Sequence, residues 1–240
     1  ADKMDYILRD SYFSGCRYGM YNKDHLLNSL KIGYELFYDS QKQISDVEFS
    51  LAILEKGTGA LEDFIYARYQ LYLELYNHKT VSGFRKLLSL GISEIFSHKE
   101  IKYEITSRLS SLERFVNFTD TYFWEEFRHH AENNPSSACR MLVEREKLRY
   151  LGRRINEHSE EVVRFCKRIS QIKKERIEFW KSHIKFSKIN EYFMEIKVLI
   201  KQEDGTLKLK KISRVTDFFR KFDAKDIYHL FIIPNFSNSH

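Results

Sequence analysis

Apolar residues recur at helical spacing along most of the chain. Met4, Ile7, Leu8 and Tyr12 form a stripe that predicts a helix over 2–14, stopped by Gly15. A short helix over 24–32 follows, with Asp24 as its N-cap. Alternating segments at 33–38 and 47–54, around the polar Asp39-Ser40-Gln41-Lys42-Gln43 turn, predict a strand pair. Gly57-Thr58-Gly59 breaks the pattern. Leu61, Phe64, Ile65, Tyr69, Tyr72 and Leu75 then mark a long helix over 60–77.

Further helical stretches are predicted at 81–97, 101–108, 120–133, 136–154 and 159–181. Thr119 or Asp120 caps the third, and Pro135 separates the third from the fourth. The period then changes to two. Residues 192–202 and 207–212 alternate around Asp204-Gly205, a strong hairpin turn; 215–222 is a short helix and 227–233 a final strand. The expected fold is mainly α: a helical body over 1–185 with a small β-hairpin excursion, then an α+β appendage over 190–240.

Composition agrees. Of 240 residues, 42% are hydrophobic and 31% charged, enough for a sizeable core, and two prolines with nine glycines favour long helices. No apolar run reaches the ~18 residues of a membrane span, and no secretory signal opens the chain. The chain starts Ala1-Asp2-Lys3 without Met, so sequence upstream is expected. Cys16, Cys139 and Cys166 are odd in number and scattered, which predicts reduced thiols in the cytoplasm. The net charge of +6 is concentrated: 15 Lys and Arg against 7 Glu lie between 140 and 188. That stretch reads as a solvated helix face, or as a surface for nucleotides, nucleic acid or an acidic partner.

Two rows of side chains carry candidate chemistry. Asp2, Lys3, Tyr6 and Asp10 fall along one side of the first helix. Together they could hold a metal, a phosphate and a sugar; spacing alone favours the plainer view, in which Asp2 caps, Lys3 is solvated, Tyr6 packs and Asp10 is exposed. Arg68, Tyr72 and Tyr76 recur every four residues on the long helix, a face suited to a phosphate ester bearing an aromatic base. The plainer view there is an aromatic stripe with Arg68 in an ion pair. His129 and His130 are adjacent, so on a helix they diverge by about 100° and read as surface or packed histidines. HExxH, CxxC, GxxxxGK[ST], GxSxG and GxGxxG are all absent.

The run Asp2-Lys3-Met4-Asp5-Tyr6-Ile7-Leu8-Arg9-Asp10 resembles a signature of the HD-domain phosphohydrolases, in the deoxynucleoside triphosphate triphosphohydrolase branch. There a metal-ligand Asp is followed by Lys, an Asp-Tyr pair and an Arg-Asp pair. A second block, from Glu55 through Ala67-Arg68-Tyr69-Gln70 to Tyr76-Asn77-His78-Lys79, is similar to the same family and lies in the same order. The resemblance covers about 2–155 and is weak beyond 185.

The resemblance implies metal-dependent hydrolysis of a (deoxy)nucleoside triphosphate to nucleoside and triphosphate, with a divalent ion (Mn, Mg, Fe, Zn or Ni) and a homo-oligomer. It implies Asp2 as a metal ligand, Lys3 and Arg68 on the phosphates, and Tyr6 and Asp10 beside the sugar. Tyr76, Asn77 and His78 would line the sugar or base, and Lys79 would face a regulatory nucleotide. The family's metal site also needs an upstream His and a His-Asp pair, and no His in these 240 residues is followed by Asp. The chain alone is therefore expected to be inactive. Two other functions stay open: a catalytically dead nucleotide-sensing and oligomerisation module, and a nucleic-acid binder using 140–188.

Overall fold

The computed structural model describes residues 2–116, 118–184, 195–218 and 225–236. The chain divides into two compact units, 1–76 with 183–225 and 77–182 with 226–240.

In the first unit, α1 (Asp2–Ser14) buries Ile7 and Ser11. Helix α2 (Lys23–Ser29) starts one residue earlier than expected, because Asn22 rather than Asp24 is the cap: its side chain accepts from the His25 N–H at 2.9 Å. Strands β1 (Leu30–Tyr38) and β2 (Ile44–Leu54) form the anticipated antiparallel pair, with Leu30 opposite Ile53. Helix α3 (Thr58–Leu71) buries Leu61, Phe64, Ile65 and Leu71, then widens into a π-helical turn over Tyr72–Tyr76. Strands β5 (Lys197–Lys201) and β6 (Leu207–Lys211) extend the hairpin into a four-stranded sheet of order β1-β2-β5-β6, β5 running parallel to β2.

The second unit contains α4 (Lys79–Ile95), α5 (Lys99–Leu109), α6 (Leu112–Val116), α7 (Asp120–Asn133) and α8 (Ala138–Val143). Two expected helices shorten here. Segment 136–154 gives only α8 before strand β3 (Arg149–Ile155), and 159–181 gives α9 (Ser159–Lys173) before strand β4 (Arg176–Ile184). The cause is β7 (Lys225–Ile233), in which Ile227–Ile233 are all buried. A strand covered on both faces leaves N–H and C=O groups along both edges, and each edge needs a partner. β3 and β4 supply them, in the order β3-β7-β4. The strands expected to stand together as a C-terminal appendage are thus shared between two sheets. Half of the short helix expected over 215–222, residues 219–222, lies outside the described residues; a 3-10 turn occupies Ile212–Arg214.

The period-two alternation of β7 builds two cores. Phe231 and Ile233 pack with Leu87, Ile95, Phe127 and Leu142 of α4, α7 and α8. Tyr228, Leu230 and Ile232 pack on the other face with Val162, Cys166 and Ile177. Each fully buried aliphatic contributes about 1.5–3 kcal/mol. Among the described residues, no helix is long and apolar enough to cross a membrane.

Candidate functional site

The two sequence rows meet within the first unit. The Tyr76 phenol donates to Asp10 Oδ2 at 2.6 Å. The Tyr6 ring meets that of Tyr76 edge-on at 6.4 Å, and Tyr72 meets Tyr76 edge-on at 5.0 Å. The Arg68 guanidinium lies over the Tyr72 ring, 5.1 Å from its centroid. The result is a half-buried band of three phenols, one guanidinium and one carboxylate between α1 and the end of α3.

Local structure explains the meeting. Positions 6 and 10 stand one turn apart on α1, on the same side. On the other wall, the π turn over Tyr72–Tyr76 widens the backbone while Tyr72 stays against both Arg68 and Tyr76. Such turns frequently occur at functional sites. Gly19 holds the helices close, since a Cβ there would stand 2.6 Å from the Ile7 carbonyl oxygen and 2.8 Å from Leu71 Cδ1.

The electrostatics are those of a neutral phenolic band beside a fixed cation. Burial, reinforced by the Asp10 carboxylate, pushes the Tyr76 phenol well above its ordinary range, so Tyr76 remains a donor. Burial also raises Tyr6, against the pull of the Arg68 guanidinium, which favours phenolate. Among the described residues, the buried Arg68 Nε has no hydrogen-bond partner. A buried donor left unmade costs about 1–3 kcal/mol, which an anionic ligand would recover.

The remaining residues separate. Asp2 and Lys3, at the start of α1, are exposed. Asn77, His78 and Lys79 open the second unit. There Asn77 accepts from Arg85 at 3.2 Å, and His78 caps α4, its Nδ1 accepting from the Thr80 N–H at 3.3 Å. Lys79 lies 5.6 Å from the Tyr150 centroid, in a cavity of about 290 Å³ shared with Thr80 and Lys147. The basic stretch is partly neutralised: Arg149 pairs with Glu175, Arg154 with Glu157, Arg176 with Glu178 and Lys181 with Asp226.

The only group of three clustered metal-type donors among the described residues was not anticipated. Glu94, His130 and Cys139, in the second unit, bring their ligand atoms within 4.8 Å of one another. They come from three helices and lie up to 45 positions apart, so no sequence spacing marks them.

No family model matches the chain. It is 25% identical over 170 residues to the uncharacterized protein YwfO of Bacillus subtilis, covering 65% of this chain and 36% of that protein. It is 25% identical over 210 residues to the deoxynucleoside triphosphate triphosphohydrolase SAMHD1 of Bos taurus, covering 85% of this chain and 32% of that protein. The chain spans about a third of the length of these curated relatives. Its fold matches a solved phosphohydrolase of Bacteroides thetaiotaomicron with a TM-score of 0.62 at 16% identity, covering 97% of this chain and 61% of that one. The chain thus shares its fold with a phosphohydrolase and is distantly similar in sequence to a deoxynucleoside triphosphate triphosphohydrolase.

Proposed function

We propose that the band between α1 and α3 is one wall of a site that hydrolyses (deoxy)nucleoside triphosphates to nucleoside and triphosphate. Arg68 grips the polyphosphate, with Lys3 adding charge from the start of α1. Tyr6, Asp10 and Tyr76 hold the sugar, Asp10 accepting from its hydroxyls. The family resemblance further assigns Asn77 and His78 to the sugar or base and Lys79 to a regulatory nucleotide. The observation that carries this reading is the buried, unpartnered Arg68 Nε beside the Asp10–Tyr76 pair. It combines a donor for phosphate with an acceptor for hydroxyl groups.

A divalent metal belongs to this reading, where it would supply an activated water. The donors in hand do not make its site. Asp2 is a single exposed carboxylate, and no cluster of three donors among the described residues includes it. Nucleotide binding is accordingly assigned to this chain, and turnover to a protein that also carries the His and His-Asp ligands. A homo-oligomer fits the outer face of β1 and β2, where Ile32, Tyr34, Phe49 and Leu51 are more than half exposed.

The test is an assay of the full natural protein with each deoxynucleoside triphosphate and Mn²⁺ or Mg²⁺. Equal amounts of nucleoside and triphosphate are expected, with loss of turnover in Asp2→Ala. Near-normal turnover of Asp2→Ala would remove Asp2 from the site. Binding without turnover would favour a nucleotide sensor, and salt-dependent nucleic-acid binding alone would favour the basic stretch.

A further inference from the structure

We propose that Glu94, His130 and Cys139 form a structural zinc site that ties α4, α7 and α8 together, separate from the band between α1 and α3. Each helix contributes one donor: a carboxylate, an imidazole and a thiol. That mixture is the donor set of a borderline-soft transition metal and is unsuited to the all-oxygen coordination of calcium or magnesium.

The His130 ring is the telling group. Its side chain is 92% buried. Its Nε2 stands 3.9 Å from Glu94 Oε2, too far for a hydrogen bond and close enough for a shared ion.

Glu94 is held in place for the role. The backbone N–H groups of Ala138 and Cys139 donate to its Oε1 and Oε2 at 2.8 and 3.0 Å. Each carboxylate oxygen accepts about two bonds, so one acceptor direction remains on each. These contacts also fix the carboxylate beside the first turn of α8, as outer-sphere bonds do around metal ligands. Cys139 is fully buried, its Sγ in a long 3.6 Å contact with the Gly91 carbonyl and beside the Glu94 carboxylate. The fourth donor is water or the exposed His98, whose ring centroid lies 5.5 Å from that of His130.

The spacing is near what is required. Zinc bonds of about 2.0–2.3 Å place tetrahedral donors about 3.3–3.8 Å apart. Closing from at most 4.8 Å needs a contraction of about 1 Å. Charge also balances. The S–H bond of Cys139 breaks, its proton leaves to solvent and a sulfur–zinc bond forms with no change in oxidation state. Thiolate and carboxylate then neutralise the dication, so no net charge is buried. A bound dication favours the thiolate form.

The test is titration of the chelator-treated protein with Zn²⁺ and Co²⁺. One ion per chain is expected, with tetrahedral d–d bands and a sulfur-to-cobalt charge-transfer band. Zinc should raise the thermal midpoint. Cys139→Ser and His130→Gln should each weaken zinc binding by about tenfold or more and change the cobalt spectrum. Cys139→Ser should lose the charge-transfer band entirely, whereas Asp2→Ala should keep both stoichiometry and band. If a variant fails to fold, X-ray absorption at the zinc edge of the unaltered protein decides, with one sulfur and at least one imidazole expected. Failure to bind zinc, absence of sulfur from the first coordination sphere, or a charge-transfer band that survives Cys139→Ser would overturn the site.

Discussion

Asp10 and Tyr76, 66 positions apart, are joined by a 2.6 Å hydrogen bond from phenol to carboxylate. It fastens α1 to the π-helical end of α3, so the same contact that shapes the proposed ligand band also stabilises the unit. Tyr76→Phe keeps the ring contacts with Tyr6 and Tyr72 and removes only the hydroxyl. A loss of about 1–2 kcal/mol is expected, the scale of a half-buried bond to a charged acceptor. Urea unfolding with an unchanged m-value measures it, and an unaltered midpoint would mean that the bond adds nothing net.

Gly19 and Gly59 should respond oppositely to the same change. Gly19→Ala forces a methyl against Ile7, Ser11 and Leu71 at 2.6–2.8 Å, all three lying in helices that cannot readily shift. A destabilisation of about 1–3 kcal/mol is expected. Gly59, in the first turn of α3, has nothing within 4 Å of an added Cβ. Gly59→Ala should be neutral or stabilising by up to about 1 kcal/mol. Thermal denaturation of the pair checks both signs.

His229 should make the second unit acid-sensitive. It is buried in the central strand beside Tyr150 and Phe231, and neither ring nitrogen has a hydrogen bond of normal geometry. Burial pushes its pKa below the ordinary 6.5, against a smaller opposing effect of the Asn77 backbone. The unfolded chain therefore takes up a proton near pH 6.5 that the folded chain resists. Stability present above that pH falls as pH drops, by up to about 1.4 kcal/mol per unit until the folded value is reached. His229→Leu should reduce this slope between pH 7 and 5, leaving the part due to His130, whose pKa is lowered in the same sense. Urea midpoints across that range are the measurement; an unchanged slope would exclude His229 as a source.

Much of this was legible in the chain. Helix α1 was read from Met4, Ile7 and Leu8 over its observed bounds, and α7 likewise. The β1–β2 pair followed from alternation around a polar turn. Strand β3 escaped because charged side chains obscure its period. Its inward positions are Tyr150, Gly152 and Arg154, and Arg154 turns inward by stacking 3.9 Å from the Phe165 centroid. The better signal lay elsewhere. The apolar run at 227–233 is buried on both faces, which demands two neighbouring strands before any local propensity is weighed. The facing of the Tyr6–Asp10 and Arg68–Tyr76 rows could be anticipated only because two motifs resembled one family. The π turn has no signature in its five residues, and Glu94, His130 and Cys139 converge through tertiary packing alone.

The most direct measurement is calorimetric titration of this chain with a deoxynucleoside triphosphate, comparing the unaltered protein, Arg68→Ala and Arg9→Ala. Arg9 is the control, an exposed cation already paired with Asp5 on α1. Arg68→Ala is expected to weaken binding by about 1.5–3 kcal/mol, or roughly 10–150-fold in Kd, while Arg9→Ala leaves it within about twofold. Equal affinities for all three proteins would contradict a triphosphate site built on Arg68.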